Sequence, residues 1–224
     1  MSSKNSRWLL DRLVYGYYWK WHYEWLLSYS NFVFKLKTRS KDIGVGQDYA
    51  IWGPVDMMKY PGSHIEIGER FHCISDAVRS SASTVRVARI ETLSSHARIS
   101  IGNDVGLNGT YLSCKYSSIK IGDHAMVGPD CVITDSGFWF PGREGAVGCS
   151  AMKGDIEIGK NVWIGMRCLI LNGARVGDNS VVGAGSTVTN VVEPDSVYAG
   201  NPARLIRRMS AQDQRHEIRD GSSD

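Results

Sequence analysis

This sequence has little that points to disulfide, metal or nucleic-acid chemistry. Its five cysteines (Cys73, Cys114, Cys131, Cys149 and Cys168) include no C-x-x-C pair and no metal-ligand spacing. An odd number of scattered thiols, with no secretion signal at the charged N-terminus, points to the reducing cytoplasm. No long Lys/Arg block is present, and a formal net charge of +3 over 224 residues is ordinary, so no nucleic-acid partner is expected. The longest uncharged run near the N-terminus, Trp25 to Phe34, falls well short of the roughly 20 residues of a spanning helix.

What the chain does have is repetition. From Ile158 an aliphatic residue recurs every six positions: Ile158, Ile164, Ile170, Val176, Val182 and Val188. The next position is mostly glycine (Gly159, Gly165, Gly177, Gly183), and a small residue follows each aliphatic by four (Val162, Cys168, Ala174, Ser180, Ser186, Val192). The same beat appears at Ile101-Gly102, Ile121-Gly122 and Val127-Gly128, with a weaker start at Ile67-Gly68. Neither an amphipathic helix nor a plain alternating strand has this period.

A six-residue unit suits one short strand and one tight corner, and three units close a triangular coil with one aliphatic side chain inward per face. Glycine next to each aliphatic allows corner dihedrals that a Cβ penalises. Cys131 and Cys168 fall in the small inward column and read as packing residues. The pattern is the hexapeptide signature of an all-β fold, the left-handed parallel β-helix. The expected organisation is an aromatic-rich helical or irregular segment over 1–60 and a β-helix over 61–200 with an excursion loop at 134–157. A short capping helix and tail then follow over 201–224. The N-terminal aromatics read either as a helix packed on the β-helix or a neighbouring subunit, or as a peripheral anchor at a membrane surface.

Four short segments narrow the reading: N-V-W-I-G at 161–165, I-L-N-G-A at 170–174, V-G-A-G-S at 182–186 and A-G-N-P-A-R at 199–204. Together they resemble the hexapeptide acyltransferases of the galactoside, maltose, xenobiotic and polysaccharide O-acetyltransferase group, over roughly residues 95 to 208. The resemblance implies a homotrimer in which acetyl-CoA, as co-substrate, lies in a groove between neighbouring β-helices and gives its acetyl group to a sugar hydroxyl. It implies cofactor-side roles for Trp163, Gly165, Ala184, Gly185, Thr189 and Arg204. Trp163 would pack along the pantetheine arm, or else serve surface packing. Where the family often has Thr-Lys after the last repeat, Thr189 is followed by Asn190.

From Ile133 to Ile158 the step is 25 residues where an uninterrupted beat takes six. In the family this excursion carries a catalytic histidine that takes the proton from the acceptor hydroxyl. Here the segment reads Asp135-Ser136-Gly137-Phe138-Trp139-Phe140, with Trp139 at the histidine's place and no histidine between His124 and His216. Indole cannot act as a base. The catalytic candidates are therefore Asp135 (acid/base, orienting group or turn cap), His124 (base or solvated corner) and Asn108 (acceptor contact or corner asparagine). The alternatives are a trimer that kept the fold as a binding or assembly module, or an acyltransferase with another base or an amine acceptor. No metal is expected: the zinc-dependent carbonic anhydrases of this fold need an H-x4-H pair, which is absent.

Overall fold

A computed structural model describes residues 21, 24–77, 79–80, 84, 86–136 and 154–210. A helix, α1 (24–40), precedes a stack of coils, each contributing one short strand to each of three sheets. Coil 1 holds β1 (Gly44–Val45), β2 (Ala50–Trp52) and β3 (Val55–Met58), and coil 2 holds β4 (His64–Ile67), β5 (His72–Ile74) and β6 (Ala88–Thr92). Coil 3 is β7 (Arg98–Ile101), β8 (Gly106–Asn108) and β9 (Tyr111–Cys114). Coil 4 is β10 (Ser118–Ile121), β11 (Met126–Val127) and β12 (Val132–Thr134). After the excursion come β13 (Ile156–Ile158), β14 (Trp163–Ile164) and β15 (Leu169–Leu171), then β16 (Arg175–Val176), β17 (Val181–Val182) and β18 (Thr187–Val188). The last coil has β19 (Val191–Val192) and β20 (Ser196–Ala199), after which β21 (Arg204–Arg208) turns back antiparallel on β20.

The first face stacks β1, β4, β7, β10, β13, β16 and β19, the second runs from β2 to β20 and β21, and the third from β3 to β18. Register carries the six-residue beat straight into the core. Ile67, Ile101, Ile121, Ile158, Val176 and Val192 are mutual partners on the first face. Ile51, Cys73, Leu107, Val127, Ile164 and Val182 form the column on the second face. Met57, Ile90, Leu112, Ile133, Ile170 and Val188 form that on the third. All are buried, as are Cys131 and Cys168, and each large aliphatic so placed contributes about 1.5–3 kcal/mol relative to exposure.

The glycines after the aliphatics serve a different end from the one expected. None of Gly102, Gly122, Gly159, Gly165 and Gly177 has a positive φ. Instead, a Cβ on Gly122 would sit 2.6 Å from the Gly159 carbonyl carbon, and one on Gly177 2.5 Å from Pro194 N. Glycine is there because coils approach backbone to backbone. The left-handed dihedrals fall two residues later in each corner, on Arg70, Asp104, His124, Asn161, Asn179 and Asp195 between the first and second faces, a set rich in the Asp and Asn that tolerate them best.

Both ends depart from expectation. The β-helix begins at Gly44 rather than 61, because coil 1 keeps inward Ile51 and Met57 without a regular six-residue spacing to the next coil. Its open edge is met by α1: Asn31 Oδ1 accepts from the Ile51 N–H at 2.9 Å, Ser30 Oγ from the Gly53 N–H at 3.2 Å, and Lys37 Nζ donates to Val55 O at 2.8 Å. Phe34 seals the coil against Tyr49 and Phe71. Asn31→Ala should cost about 1 kcal/mol, read as a lower urea midpoint with unchanged slope, because a buried edge N–H loses its acceptor.

At the other end the expected capping helix is corrected: residues 204–208 are a strand, while 211–224 lie outside the described residues. An antiparallel partner satisfies the open edge of β20, which a helix would leave unpaired, and the exposed arginines of β21 blunt the new edge. A second departure from the repeat, 75–87, interrupts coil 2 between its second and third faces.

Candidate active site

The chain leaves the β-helix at the corner between the third and first faces, after Thr134, and returns at Ile156. Both roots of this excursion are fastened to the corner 115–118 directly beneath. Asp135 Oδ1 accepts from the Lys115 N–H at 2.7 Å, and its Oδ2 accepts from the Tyr116 and Ser117 N–H groups at 2.7 and 2.8 Å. Ser117 Oγ lies 3.0 Å from both Asp135 Oδ2 and Gly154 O, and Asp155 Oδ1 accepts from Ser118 N–H and Oγ–H at 2.9 and 2.7 Å. The Cys114 thiol also points at Asp135, at 3.4 Å; burial, with the Asp135 charge behind it, pushes that thiol up to about 12, so it stays a donor. Asp135 is thus a buried anion held by convergent donors, the arrangement of a loop anchor. Trp139 and its aromatic neighbours lie outside the described residues.

His124 stands at a different corner, between the first and second faces. It belongs to a polar ladder running up that corner: Arg70 clamps Asp104 through Nε–Oδ1 at 2.6 Å and Nη2–Oδ2 at 2.7 Å, and His124 Nδ1 lies 3.6 Å from Asp104 Oδ2. The Arg70 hydrogen bonds hold the Asp104 carboxyl below the usual carboxylate range. Further up, Asn161 donates to Asn179 and Asn179 to Asp195, both at 3.0 Å. Asn108 ends β8 at the third corner, between the second and third faces, and its Oδ1 is buried with no hydrogen-bond partner among the described residues. An orphaned buried acceptor costs about 1–3 kcal/mol unless a ligand or water donor meets it. Asp135, His124 and Asn108 therefore occupy three separate corners, and one protomer does not bring them together.

The cofactor-side candidates other than Thr189 lie along one track. Trp163, 57% exposed, stands outward on the second face beside Met126, 53% exposed, its register partner on β11. Val181 continues this column one coil up. At the adjoining corner Gly165 leads to exposed Ala184 and Gly185 and then to β21, where Arg204 pairs with Ala199. Gly165 is committed to stacking: its N–H donates to Val182 O at 2.8 Å, and its carbonyl accepts from the Cys131 thiol at 3.0 Å. Gly185, at φ +70°, donates to Met166 O at 2.8 Å. Thr189 lies past the far end of β18, about 13 Å of strand from Gly185, and stays apart from this track.

Several residues of the surface were not singled out in the sequence. Met126 adjoins Trp163 by register, and exposed Arg167 stands at the next corner, at the position between Asp130 and Gly185. On the third face, outside the core, Glu91 is buried: its Oε1 accepts from Tyr111 Oη at 2.5 Å and Ser113 Oγ at 3.0 Å, and its Oε2 pairs with Arg89 Nε at 2.8 Å. Burial and then the Glu91 hydrogen bond raise the Tyr111 phenol above its ordinary value. These contacts commit the Glu91 carboxylate to partners within the protein. Thr84, returning from the 75–87 segment, donates to buried Asp130 at 2.6 Å. The Glu91 cluster is assembled from strands about twenty residues apart, and the Thr84–Asp130 pair spans a longer separation still. No local motif announces either.

Comparison with known proteins agrees with this architecture. Residues 155–190 match the family model described as bacterial transferase hexapeptide (six repeats). Over 124 residues, 55% of this chain and 61% of the other, the sequence is 33% identical to galactoside O-acetyltransferase of Escherichia coli (strain K12). Over 73 residues, 33% of this chain and 35% of the other, it is 41% identical to chloramphenicol acetyltransferase of Agrobacterium fabrum. The chain thus spans less than two thirds of the length of these relatives. Among solved structures, AntD, an N-acyltransferase from Bacillus cereus in complex with dTDP and 3-hydroxybutyryl-CoA, superposes with a TM-score of 0.59 at 16% identity, covering 84% of this chain and 97% of that one. At that identity the likeness is one of fold. Repeat, register and relatives converge on the fold: a left-handed parallel β-helix of six-residue repeats, similar over those repeats to the hexapeptide acetyltransferases.

Proposed function

We propose that this chain is an acetyl-CoA-dependent O-acetyltransferase acting, as a cytoplasmic homotrimer, on a hydroxyl of a sugar or polysaccharide precursor. The observation that carries the reading is the exposed Trp163–Met126 pair on the second face, from which a corner of small residues, Ala184 and Gly185, leads to Arg204. A flat apolar surface suits the pantetheine arm, exposed backbone at Ala184 suits its amides, and a guanidinium suits phosphate. The relationship to galactoside O-acetyltransferase supports a sugar hydroxyl as acceptor.

In such a reaction the acceptor oxygen attacks the thioester carbonyl, its proton leaves, and the coenzyme thiolate departs. Trp139 cannot take that proton, and Asp135 is occupied by its anchoring donors. His124 is the proposed base. It stands two residues before Met126, about 7 Å along the edge of the face that carries Trp163. Its Nδ1 side faces the Asp104 carboxylate. Asn108, with its unpartnered Oδ1, is proposed as the contact that accepts from a substrate hydroxyl, and it reaches the reaction from a neighbouring copy. The second reading, a binding or assembly module that has lost the chemistry, is favoured by Trp139 at the place of the family's histidine.

Calorimetric titration with acetyl-CoA tests the proposal. Saturable binding is expected, weakened at least tenfold (about 1.4 kcal/mol) in Trp163→Ala. His124→Gln is expected to bind acetyl-CoA normally while transfer to a sugar acceptor falls by at least about 100-fold. No binding at millimolar cofactor overturns the transferase reading. Binding with no transfer in the wild type supports the module.

A further inference from the structure

The face of α1 turned away from the β-helix carries an apolar stripe that acyl transfer leaves unused. Trp21, Trp25, Tyr29, Phe32 and Leu36 follow one another at steps of four, four, three and four residues. At about 100° per residue they fall within an arc of about 80°. All five are between 53% and 68% exposed, and the Trp25 and Tyr29 rings stack at 5.3 Å. The opposite face is already committed, through Ser30, Asn31, Phe34 and Lys37, to coil 1. The stripe is therefore not the buried side of an amphipathic helix but a second, outward apolar side.

Charge and residue type say what it fits. The first 41 residues hold eight Lys and Arg against Asp11 and Glu24, a net charge of +6. With 26 basic and 23 acidic residues in all, the remaining 183 hold 18 and 21, a net charge of −3. The same 41 residues hold 11 of the 22 aromatic side chains. On α1 itself, the same turn of about 100° per residue puts Arg39 on the arc of the stripe and Lys35 beside it. Trp and Tyr combine an apolar body with a polar tip and settle at the headgroup level of a bilayer, while Lys and Arg are drawn to anionic lipid. A second copy docked on the same face would set two segments of charge +6 against each other, which opposes association. No helix among the described residues is long and apolar enough to cross a membrane, so the contact in question lies along a surface.

We propose that this face of α1 docks the protein on an anionic lipid surface, with the aromatic stripe seated among the headgroups and the flanking cations against lipid phosphate and carboxylate. The proposal stands independently of the acyl-transfer reading, since lipid binding and acetyl-CoA binding are separate measurements.

The test is flotation of the full chain with vesicles of phosphatidylcholine alone, or containing roughly one third phosphatidylserine. The Trp25→Ala/Phe32→Ala double variant is run in parallel, with molar mass by light scattering and circular dichroism for both proteins. Expected is flotation with the anionic vesicles only, lost as salt rises to about 0.5 M, and a bound fraction at least tenfold lower in the variant at unchanged mass and spectrum. Wild-type protein that stays behind with both vesicle types overturns the proposal. Equal binding to neutral vesicles overturns the electrostatic part. A variant whose molar mass falls shows the face to be an interface between copies, and that also overturns it.

Discussion

Asp135→Ala is expected to lower stability by about 3–5 kcal/mol, the largest single effect among the candidate site residues. The side chain is buried, and its two oxygens collect the N–H groups of Lys115, Tyr116 and Ser117 together with the Ser117 hydroxyl. Removing the carboxylate leaves three backbone donors without their acceptor. For a chain of this length the loss corresponds to a drop in melting temperature of roughly 10 °C or more. Asp135→Asn separates anchoring from acid/base chemistry. An amide sets its own N–H against the Lys115, Tyr116 or Ser117 donors, so an anchor predicts that this variant also melts early. A purely catalytic carboxylate predicts a wild-type melting curve with lost transfer. The comparison needs only thermal denaturation of three purified proteins.

The second large effect contrasts two glycines at different positions of the repeat, Gly165 directly after the inward aliphatic and Gly185 at the left-handed corner position. Gly165→Ala should destabilise by about 3 kcal/mol or more, because the new Cβ would lie 2.6 Å from Ala184 N, 2.9 Å from Ala184 Cα and 3.0 Å from Val182 O, all backbone atoms of the coil above. Gly185→Ala meets nothing within 4 Å, and its cost is the left-handed φ of +70°, about 1–2 kcal/mol. Equilibrium denaturation of both variants checks the ordering. Cofactor titration adds a second readout. Gly185, exposed beside Ala184, should weaken acetyl-CoA binding out of proportion to its effect on stability, whereas Gly165→Ala should disturb the fold first. If Gly165→Ala were the milder substitution, the account of the glycine column as a close-approach requirement would fail.

The third-corner position of Asn108, the first-corner position of His124 and the loop-root position of Asp135 bear on how any chemistry is assembled. Each is set by the phase of the coil at which the residue falls, and residues on different corners of one triangular prism face different directions. A reaction that uses more than one of them requires the surface of a neighbouring copy.

The core and the stacking of this protein were legible in the sequence, because a β-helix core is periodic. One inward aliphatic per six residues maps one to one onto three columns, so Ile133, Ile164 and Val182 could be placed without a structure. The excursion after Thr134 was legible for the same reason, as a missed beat. The purpose of the glycines was not: a corner dihedral and a close approach both favour glycine, and only the stacked coils, with the positive φ on Asp104, His124 and Asn161 instead, tell them apart. Residues 204–208 suit a helix by local pattern, yet the unpaired edge of β20 offers backbone hydrogen bonds that only a strand takes up. Coil 1 was hidden because its own spacing is uneven and the 75–87 insertion in coil 2 separates it from the regular beat that follows. Asp135, Glu91 and the outward stripe of α1 were decided by tertiary structure alone. Their roles depend on which donors converge on a carboxylate, or on which face of a helix a neighbouring coil covers, and both are relations between residues far apart in the chain.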